Sequence, residues 1–191
     1  MEAKQLAIIA VFTAIAVVLV LSPLKVPAPY APFLYYQIWE IPLVTAFLVY
    51  GPLIGLSVAG LNTLILVTLF PGDLPTGPIY NLAAVVSMLA GVYVIHHYLQ
   101  LRGRTTVRVP VSTALSMVLR VLFMTLVNWA ALRYPYPIGF SLPEEIIIGY
   151  LPLIGAFNAT VVLYTIPMGY ILAQAVSRGT QTTPWSIIEQ P

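Results

Sequence analysis

The chain has 191 residues, of which 60% are hydrophobic and only 7% are charged, against about 25% charged residues in a typical soluble domain. This composition excludes a water-soluble domain, a disordered chain and a nucleic-acid-binding protein, which needs clustered positive charge, and it indicates a protein that crosses a membrane several times. The absence of cysteine excludes disulfides, thiolate metal sites and cysteine nucleophiles.

The first three predicted helices lie in the N-terminal third of the chain. Residues 6–21 are an apolar run that we interpret as a retained helix, because no signal-peptide cleavage site follows it. Residues 22–36 are rich in Pro and Tyr and predict a long first loop without regular helix. Residues 37–50 predict a short second helix, and residues 52–70 predict a third that opens with a proline after a glycine breaker.

Three further helices are predicted in the remainder of the chain. Residues 78–101 predict the fourth helix, residues 109–132 the fifth and residues 144–176 the sixth. The loop before the fourth helix, residues 71–77, is rich in Pro and Gly, and the loop before the sixth, residues 134–143, is rich in Pro and Tyr. With six spans, both loops are predicted to lie on the same side of the membrane as the first loop.

The predicted fold class is an all-α integral membrane protein with six transmembrane helices, which need about 120 residues. Residues 1–176 are expected to form a single membrane domain, and residues 177–191 a polar, loosely attached C-terminal tail. The side that holds both termini carries more basic residues, Lys4, Arg102, Arg104, Arg108 and Arg178, than the other side, which has Lys25 and Arg133. The positive-inside rule therefore predicts a multi-pass protein of the cell membrane with both termini in the cytoplasm.

A narrow strip of small side chains runs along the first helix. Ala3, Ala7, Ala10 and Ala14 are spaced four, three and four residues apart, so they fall within about 60° on the helix surface. Small residues allow a second helix to approach closely. The strip either packs against this protein's own helices or is a docking surface for another membrane protein.

Two charged residues, Glu40 and Arg120, lie inside predicted spans. A charge at membrane depth is costly and usually faces a cavity or a partner. The estimated depths of these two residues differ by about two helical turns, so we do not expect them to form an ion pair. At least one of them is expected to line a ligand cavity, and a structural pair is the alternative.

Asparagines accompany Glu40 in several predicted helices. Asn81 and Asn128 fall in the same outer half of the bundle as Glu40, and Asn158 lies on the sixth helix. An amide donates and accepts hydrogen bonds at once, which suits a neutral heteroaromatic ligand. The alternative is that each amide only bonds a neighbouring helix.

The first loop offers Tyr30, Tyr35 and Tyr36 as candidates to stack on a planar ligand, with an interfacial aromatic belt as the alternative. No catalytic motif, paired-acid cluster or ATP-binding loop is found, and the adjacent His96 and His97 diverge too far on a helix to bind one metal ion. We therefore predict no enzymatic activity, no metal and no cofactor.

Five short segments form a recognisable set: residues 38–42 (Ile-Trp-Glu-Ile-Pro), 51–55 (Gly-Pro-Leu-Ile-Gly), 77–81 (Gly-Pro-Ile-Tyr-Asn), 124–128 (Met-Thr-Leu-Val-Asn) and 151–158. Together they resemble the motifs of one known family, the substrate-binding S components of energy-coupling factor (ECF) vitamin transporters, and most closely those of the riboflavin-type subfamily. The alanine strip is similar to the family's small-residue motif in the first helix. Where the riboflavin-type pattern often has a lysine in the sixth helix, this chain has Val161.

This resemblance implies that the protein captures a vitamin from outside the cell and associates with a transmembrane coupling subunit and ATPase subunits, which power transport. The implied ligand contacts are Glu40, Asn81, Asn128 and Asn158, with Tyr30, Tyr35 and Tyr36 in a lid over the ligand. Ala7, Ala10 and Ala14 would dock on the coupling subunit. The alternatives that remain are a different vitamin, a structural subunit of a membrane complex, and a small intramembrane enzyme.

Overall fold

The computed structural model describes residues 2–72, 74–98 and 105–185. These residues form helices and one two-stranded hairpin, in the order α1 (Ala3–Leu21), β1 (Val26–Ala28), β2 (Ala31–Tyr36), α2 (Glu40–Tyr50), α3 (Pro52–Leu69), α4 (Gly77–His97), α5 (Thr105–Ala131) and α6 (Glu144–Thr180).

Five of the helices, α1 and α3–α6, are long and apolar enough to cross a membrane, with mean hydropathies between 1.7 and 2.4. The sixth helix, α2, has only 11 residues, which span about 16 Å, or roughly half of a bilayer's hydrocarbon core. The predicted all-helical membrane fold is confirmed, with the difference that α2 alone does not reach across.

The segment that replaces the missing half of α2 is the hairpin. β1 pairs with β2 in antiparallel register, with Val26 opposite Tyr36 and Ala28 opposite Ala31. The prediction that this segment is not regular helix is confirmed, but the sequence did not indicate a hairpin, since Pro interrupts both strands. The hairpin lies at one end of the bundle, here called the hairpin end.

Helix α2 forms the centre of the bundle. Its residues from Glu40 to Val49 are all buried, and it packs against α3 and α6. The chain then reverses at Gly51, whose φ of +94° suits a residue without a side chain. Pro52 begins α3 directly, because the first position of a helix needs no N–H donor.

Helices α4, α5 and α6 pack side by side around this centre. Gly91 of α4 faces α5 so closely that a Cβ there would lie 2.5 Å from Cα of Ser116. A glycine at this point therefore permits the close approach of two membrane helices.

Three helix boundaries differ from the sequence prediction at the end opposite the hairpin. α4 ends at His97 rather than at residue 101, α5 begins at Thr105 rather than Val109, and α6 continues to Thr180 rather than Val176. Trp185 then packs on the bundle, stacked on Tyr93 with 6.1 Å between ring centroids. The predicted loosely attached tail is therefore wrong for residues 177–185, because α6 keeps its helical hydrogen bonding and an aromatic anchor follows it; residues 186–191 lie outside the described part of the chain.

Candidate ligand-binding site

A buried ion pair between Glu40 and Arg120 lies in the middle of the bundle. The two Nη atoms of Arg120 donate to the two carboxylate oxygens of Glu40, with 2.8 Å from Nη2 to Oε1. Glu40 is 5% exposed and Arg120 is 3% exposed. The two-point geometry matches the planar guanidinium to the planar carboxylate, which is the strongest form of such a pair.

Asn158 of α6 completes the network. Its Oδ1 accepts a hydrogen bond from Nε of Arg120 at 2.9 Å, and its Nδ2 donates to the carbonyl oxygen of Ile154 at 2.9 Å. Nη1 of Arg120 also lies 3.5 Å from Sδ of Met88 on α4. The guanidinium is thus held by three helices besides its own.

The expectation that Glu40 and Arg120 do not pair is wrong, and the short α2 explains why. Because Glu40 is the first residue of a helix that spans only about half of the hydrocarbon core, it lies near mid-depth. Arg120 lies near the middle of α5 and reaches the same level. The depth estimate from sequence failed because it assumed that α2 crosses the whole membrane.

A cavity of about 240 Å³ adjoins this pair on the side of the hairpin. Six of its ten lining residues are aromatic or apolar, whereas polar atoms, with Glu40, Arg120, Asn81 and Gln37 among their sources, make up the larger part of its surface. The complete lining is Leu34, Tyr35, Gln37, Trp39, Glu40, Asn81, Arg120, Phe157, Val161 and Tyr164. Aromatic walls around a few polar groups are typical of small-molecule sites.

Three of the sequence-predicted contacts, Glu40, Asn81 and Tyr35, border the cavity. Asn158 does not line it but lies behind the guanidinium and orients it. Asn128 lies two turns from Arg120 towards the hairpin end, and its Nδ2 donates to the carbonyl oxygen of Met124 at 2.7 Å. The structure therefore brings part of the predicted set together and leaves Asn128 outside the cavity wall.

The remaining predicted lid residues, Tyr30 and Tyr36, stabilise the hairpin. Their hydroxyl groups are hydrogen-bonded to each other, and the ring of Tyr36 packs on Phe157 of α6 with 5.0 Å between centroids. Partial burial, followed by the hydrogen bond to Tyr36, raises the pKa of Tyr30 to about 12. The hairpin is thus fastened to α6 beside the cavity.

The lining residues Phe157 and Tyr164 were not singled out as ligand contacts by the sequence. Tyr164 also fixes the chain between the hairpin and α2. Its hydroxyl donates to the carbonyl oxygen of Gln37 at 2.6 Å. Arg120 was singled out by its charge within a span, and that signal identified a residue that borders the cavity. The aromatic residues gave no comparable signal, since aromatics are common in membrane helices and at their ends.

A second feature of interest is the alanine strip of α1. Ala7, Ala10 and Ala14 are exposed, whereas Ile9 and Ala16 of the same helix are buried against the bundle. The interpretation that the strip packs against this protein's own helices is therefore wrong, and the strip is a free, smooth face on this chain.

No cluster of three or more potential metal ligands is present among the described residues. His96 is buried and hydrogen-bonded through Nε2 to the hydroxyl of Tyr170 at the end of the bundle opposite the hairpin. It belongs to internal packing there, far along α4 from the cavity.

Comparisons with known proteins identify the fold. No family model matches the sequence. The chain is 28% identical over 142 residues to the riboflavin transporter RibU of Staphylococcus aureus (strain TCH60), in an alignment that covers 74% of this chain and 71% of that protein. A solved structure of the S component of a bacterial ECF transporter matches with a TM-score of 0.75 and 24% sequence identity, over 95% of this chain and 99% of that one.

The fold is therefore that of an ECF S component, and the resemblance predicted from the short motifs is confirmed. Both matched proteins are described as transporters or transporter components, in agreement with the prediction that this chain is not an enzyme.

Proposed function

We propose that the chain is the substrate-capturing S component of an ECF-type vitamin transporter and that it binds riboflavin or a related heteroaromatic vitamin. The observation that carries this proposal is the cavity beneath the hairpin, where aromatic walls meet a polar floor in an S-component fold. The similarity to a riboflavin transporter favours a flavin among heteroaromatic ligands.

The proposed ligand contacts are Glu40, Asn81 and Asn128, with Tyr30, Tyr35 and Tyr36 in the lid, and Asn158 supports the site through its hydrogen bond with Arg120. Glu40, Asn81 and Tyr35 border the cavity directly. Because about 240 Å³ is below the usual range of small-molecule pockets, a flavin needs more room than this cavity gives. Outward movement of the hairpin would extend the site towards Asn128, whose Oδ1 accepts no hydrogen bond from the described residues.

The proposed partners are a transmembrane coupling subunit and ATPase subunits, because the chain itself has no ATP-binding loop. The exposed strip of Ala7, Ala10 and Ala14 is the proposed docking surface for the coupling subunit. A smooth strip of small side chains allows the close helix contact that association within a bilayer requires.

We place both termini on the cytoplasmic side of the cell membrane and the hairpin on its outer side, from the distribution of Lys and Arg. A single six-helix membrane domain is part of the same proposal. In this orientation the cavity lies close to the side from which a nutrient arrives.

The ligand that remains bound during purification tests this function. The chain would be expressed alone, purified in mild detergent, and denatured to release any bound small molecule for mass spectrometry. A flavin at near-stoichiometric amount supports the proposal. Another heteroaromatic vitamin would keep the S-component assignment and replace riboflavin, whereas a protein that neither retains nor binds any vitamin of a full panel would overturn it.

A further inference from the structure

The charges that border the cavity belong to one pair. Among the ten lining residues, only Glu40 and Arg120 carry a formal charge, and each is bound to the other through two hydrogen bonds. Opposite charges held in this geometry cancel at short range, so the buried floor of the cavity has polar atoms but no net charge.

The pair also has little hydrogen-bonding capacity left. Of the five N–H groups of a guanidinium, one faces Asn158, two face Glu40 and one faces the sulfur of Met88. One donor remains for a ligand, and each oxygen of Glu40 accepts once from Arg120 and keeps one further lone pair, which can accept from an uncharged donor. A ligand group in the cavity therefore meets a single spare donor of Arg120, the remaining lone pairs of Glu40 and the amides of Gln37 and Asn81.

This arrangement distinguishes ligands by charge. A carboxylate or phosphate that enters the floor loses its water and finds no free positive charge, because Glu40 already occupies the guanidinium. An uncharged carbonyl loses far less hydration and is satisfied by one donor. The same reasoning applies to a cation, since Glu40 is occupied by Arg120.

We infer that the Glu40–Arg120 pair is the specificity-determining element of the cavity and restricts the part of the ligand that reaches the floor to an uncharged, heteroaromatic group with a hydrogen-bond acceptor. That the ligand is aromatic is taken from the proposed function, and this inference rests on it in that respect. The new element is the role of Glu40, which neutralises Arg120 and does not attract a positively charged ligand.

A second charge near the site is Lys25 of the segment before β1. Its Nζ lies 5.5 Å from the ring centroid of Tyr35, and Lys25 is exposed. Lys25 thus contacts a lining residue but does not itself line the cavity. Because an exposed charge is screened by water and salt, Lys25 provides a control for charge effects that do not arise at the floor.

Two pairs of probes test this inference, each differing by one charge on the ring system. One pair is riboflavin and the analogue in which its 8-methyl group is replaced by a carboxylate, and the other is pterin and pterin-6-carboxylate. Their dissociation constants would be measured by fluorescence with the purified full chain. For at least one pair, the unmodified protein is expected to bind the uncharged member at least about tenfold more tightly.

Three variants assign the selectivity to its source. Glu40→Gln leaves Arg120 positively charged and is expected to shift the ratio of affinities towards the carboxylate at least about tenfold, whereas Arg120→Gln leaves Glu40 negative and is expected to shift it the other way. Lys25→Gln is expected to change the ratio by less than about threefold. Each variant would first be shown to be monodisperse and helical in detergent.

The outcomes separate the inference from the proposed function. If the pair only holds the helices together, both single variants weaken both members of a probe pair equally, and the inference is overturned. It is also overturned if, in every pair that binds, the unmodified protein binds the carboxylate as tightly as its uncharged partner, a result that needs no variant. Selectivity within the pterin pair without flavin binding would remove riboflavin and keep the inference. Binding of neither pair would overturn the inference and remove riboflavin, whereas the proposed function itself is overturned only if no vitamin of the full panel binds.

Discussion

Arg120 and Glu40 are 80 positions apart in the sequence and bind each other through both carboxylate oxygens in the interior of the bundle. Their contact joins α5 to α2, the short helix whose first residue, Glu40, lies near mid-depth. The hairpin and the cavity occupy the space that a full-length α2 would fill, so this one pair marks both the structural centre and the floor of the proposed site.

Removing one partner of this pair is expected to destabilise the protein strongly. Arg120→Met leaves the Glu40 carboxylate buried without a counter-charge, which costs about 3–5 kcal/mol in unfolding free energy. The double variant Glu40→Leu with Arg120→Met removes both charges and is expected to be more stable than the single one. Thermal unfolding in detergent, followed by circular dichroism, measures the difference.

The exposed pair of Arg133 and Glu144 provides the matched control. Its atoms are 3.1 Å apart, but both side chains are substantially exposed. Arg133→Met is therefore expected to cost no more than about 1 kcal/mol. Equal losses for Arg133→Met and Arg120→Met, or a double variant less stable than the single one, would contradict the account of a buried pair.

Asn158 is expected to matter through Arg120. Asn158→Ala removes the acceptor of Nε and frees the guanidinium to rotate, so ligand affinity is expected to fall about tenfold. Asn62→Ala is the control, because Asn62 is equally buried on α3 and does not line the cavity. Titration calorimetry with the vitamin that co-purifies measures the ligand affinity of both variants. Equal losses of affinity would show that Asn158 does not act on the site through Arg120.

The hairpin is expected to weaken only at high pH. The pKa of Tyr30 is raised from 10 to about 12, so its protonated form stabilises the folded hairpin fully below pH 10, and this contribution is lost as the pH rises towards about 12. The difference in tyrosinate absorbance between the unmodified protein and Tyr30→Phe is expected to have its midpoint near pH 12. A midpoint at pH 10 would contradict the contact with Tyr36.

The alanine strip is expected to serve association and not ligand binding. Ala10→Leu places a bulky side chain on the exposed face of α1, where close helix approach is needed. Co-purification with a tagged coupling subunit is expected to be lost while vitamin affinity stays within about twofold. Ala90→Leu makes the same change on the exposed surface of α4 and is expected to affect neither property.

Much of the fold was predictable because membrane helices follow from uninterrupted apolar runs, and Pro and Gly mark most of their ends. The length of α2 was not, since an apolar stretch beginning at Gln37 does not show that the helix starts only at Glu40. The site was predictable where a costly residue type stood out, as with Glu40, Arg120 and Asn158. Their mutual contact was not, because a pair 80 positions apart depends on how three helices are offset in depth. Phe157 and Tyr164 carried no signal, since an aromatic residue on a membrane helix is ordinary in either role.

Equilibrium titration of purified, ligand-free protein with riboflavin tests the central claim most directly. The account predicts that flavin fluorescence is quenched as the ligand stacks among the aromatic side chains of the cavity, and that quenching saturates at about one riboflavin per chain. Unchanged riboflavin fluorescence at micromolar concentrations of folded protein would contradict riboflavin as the ligand.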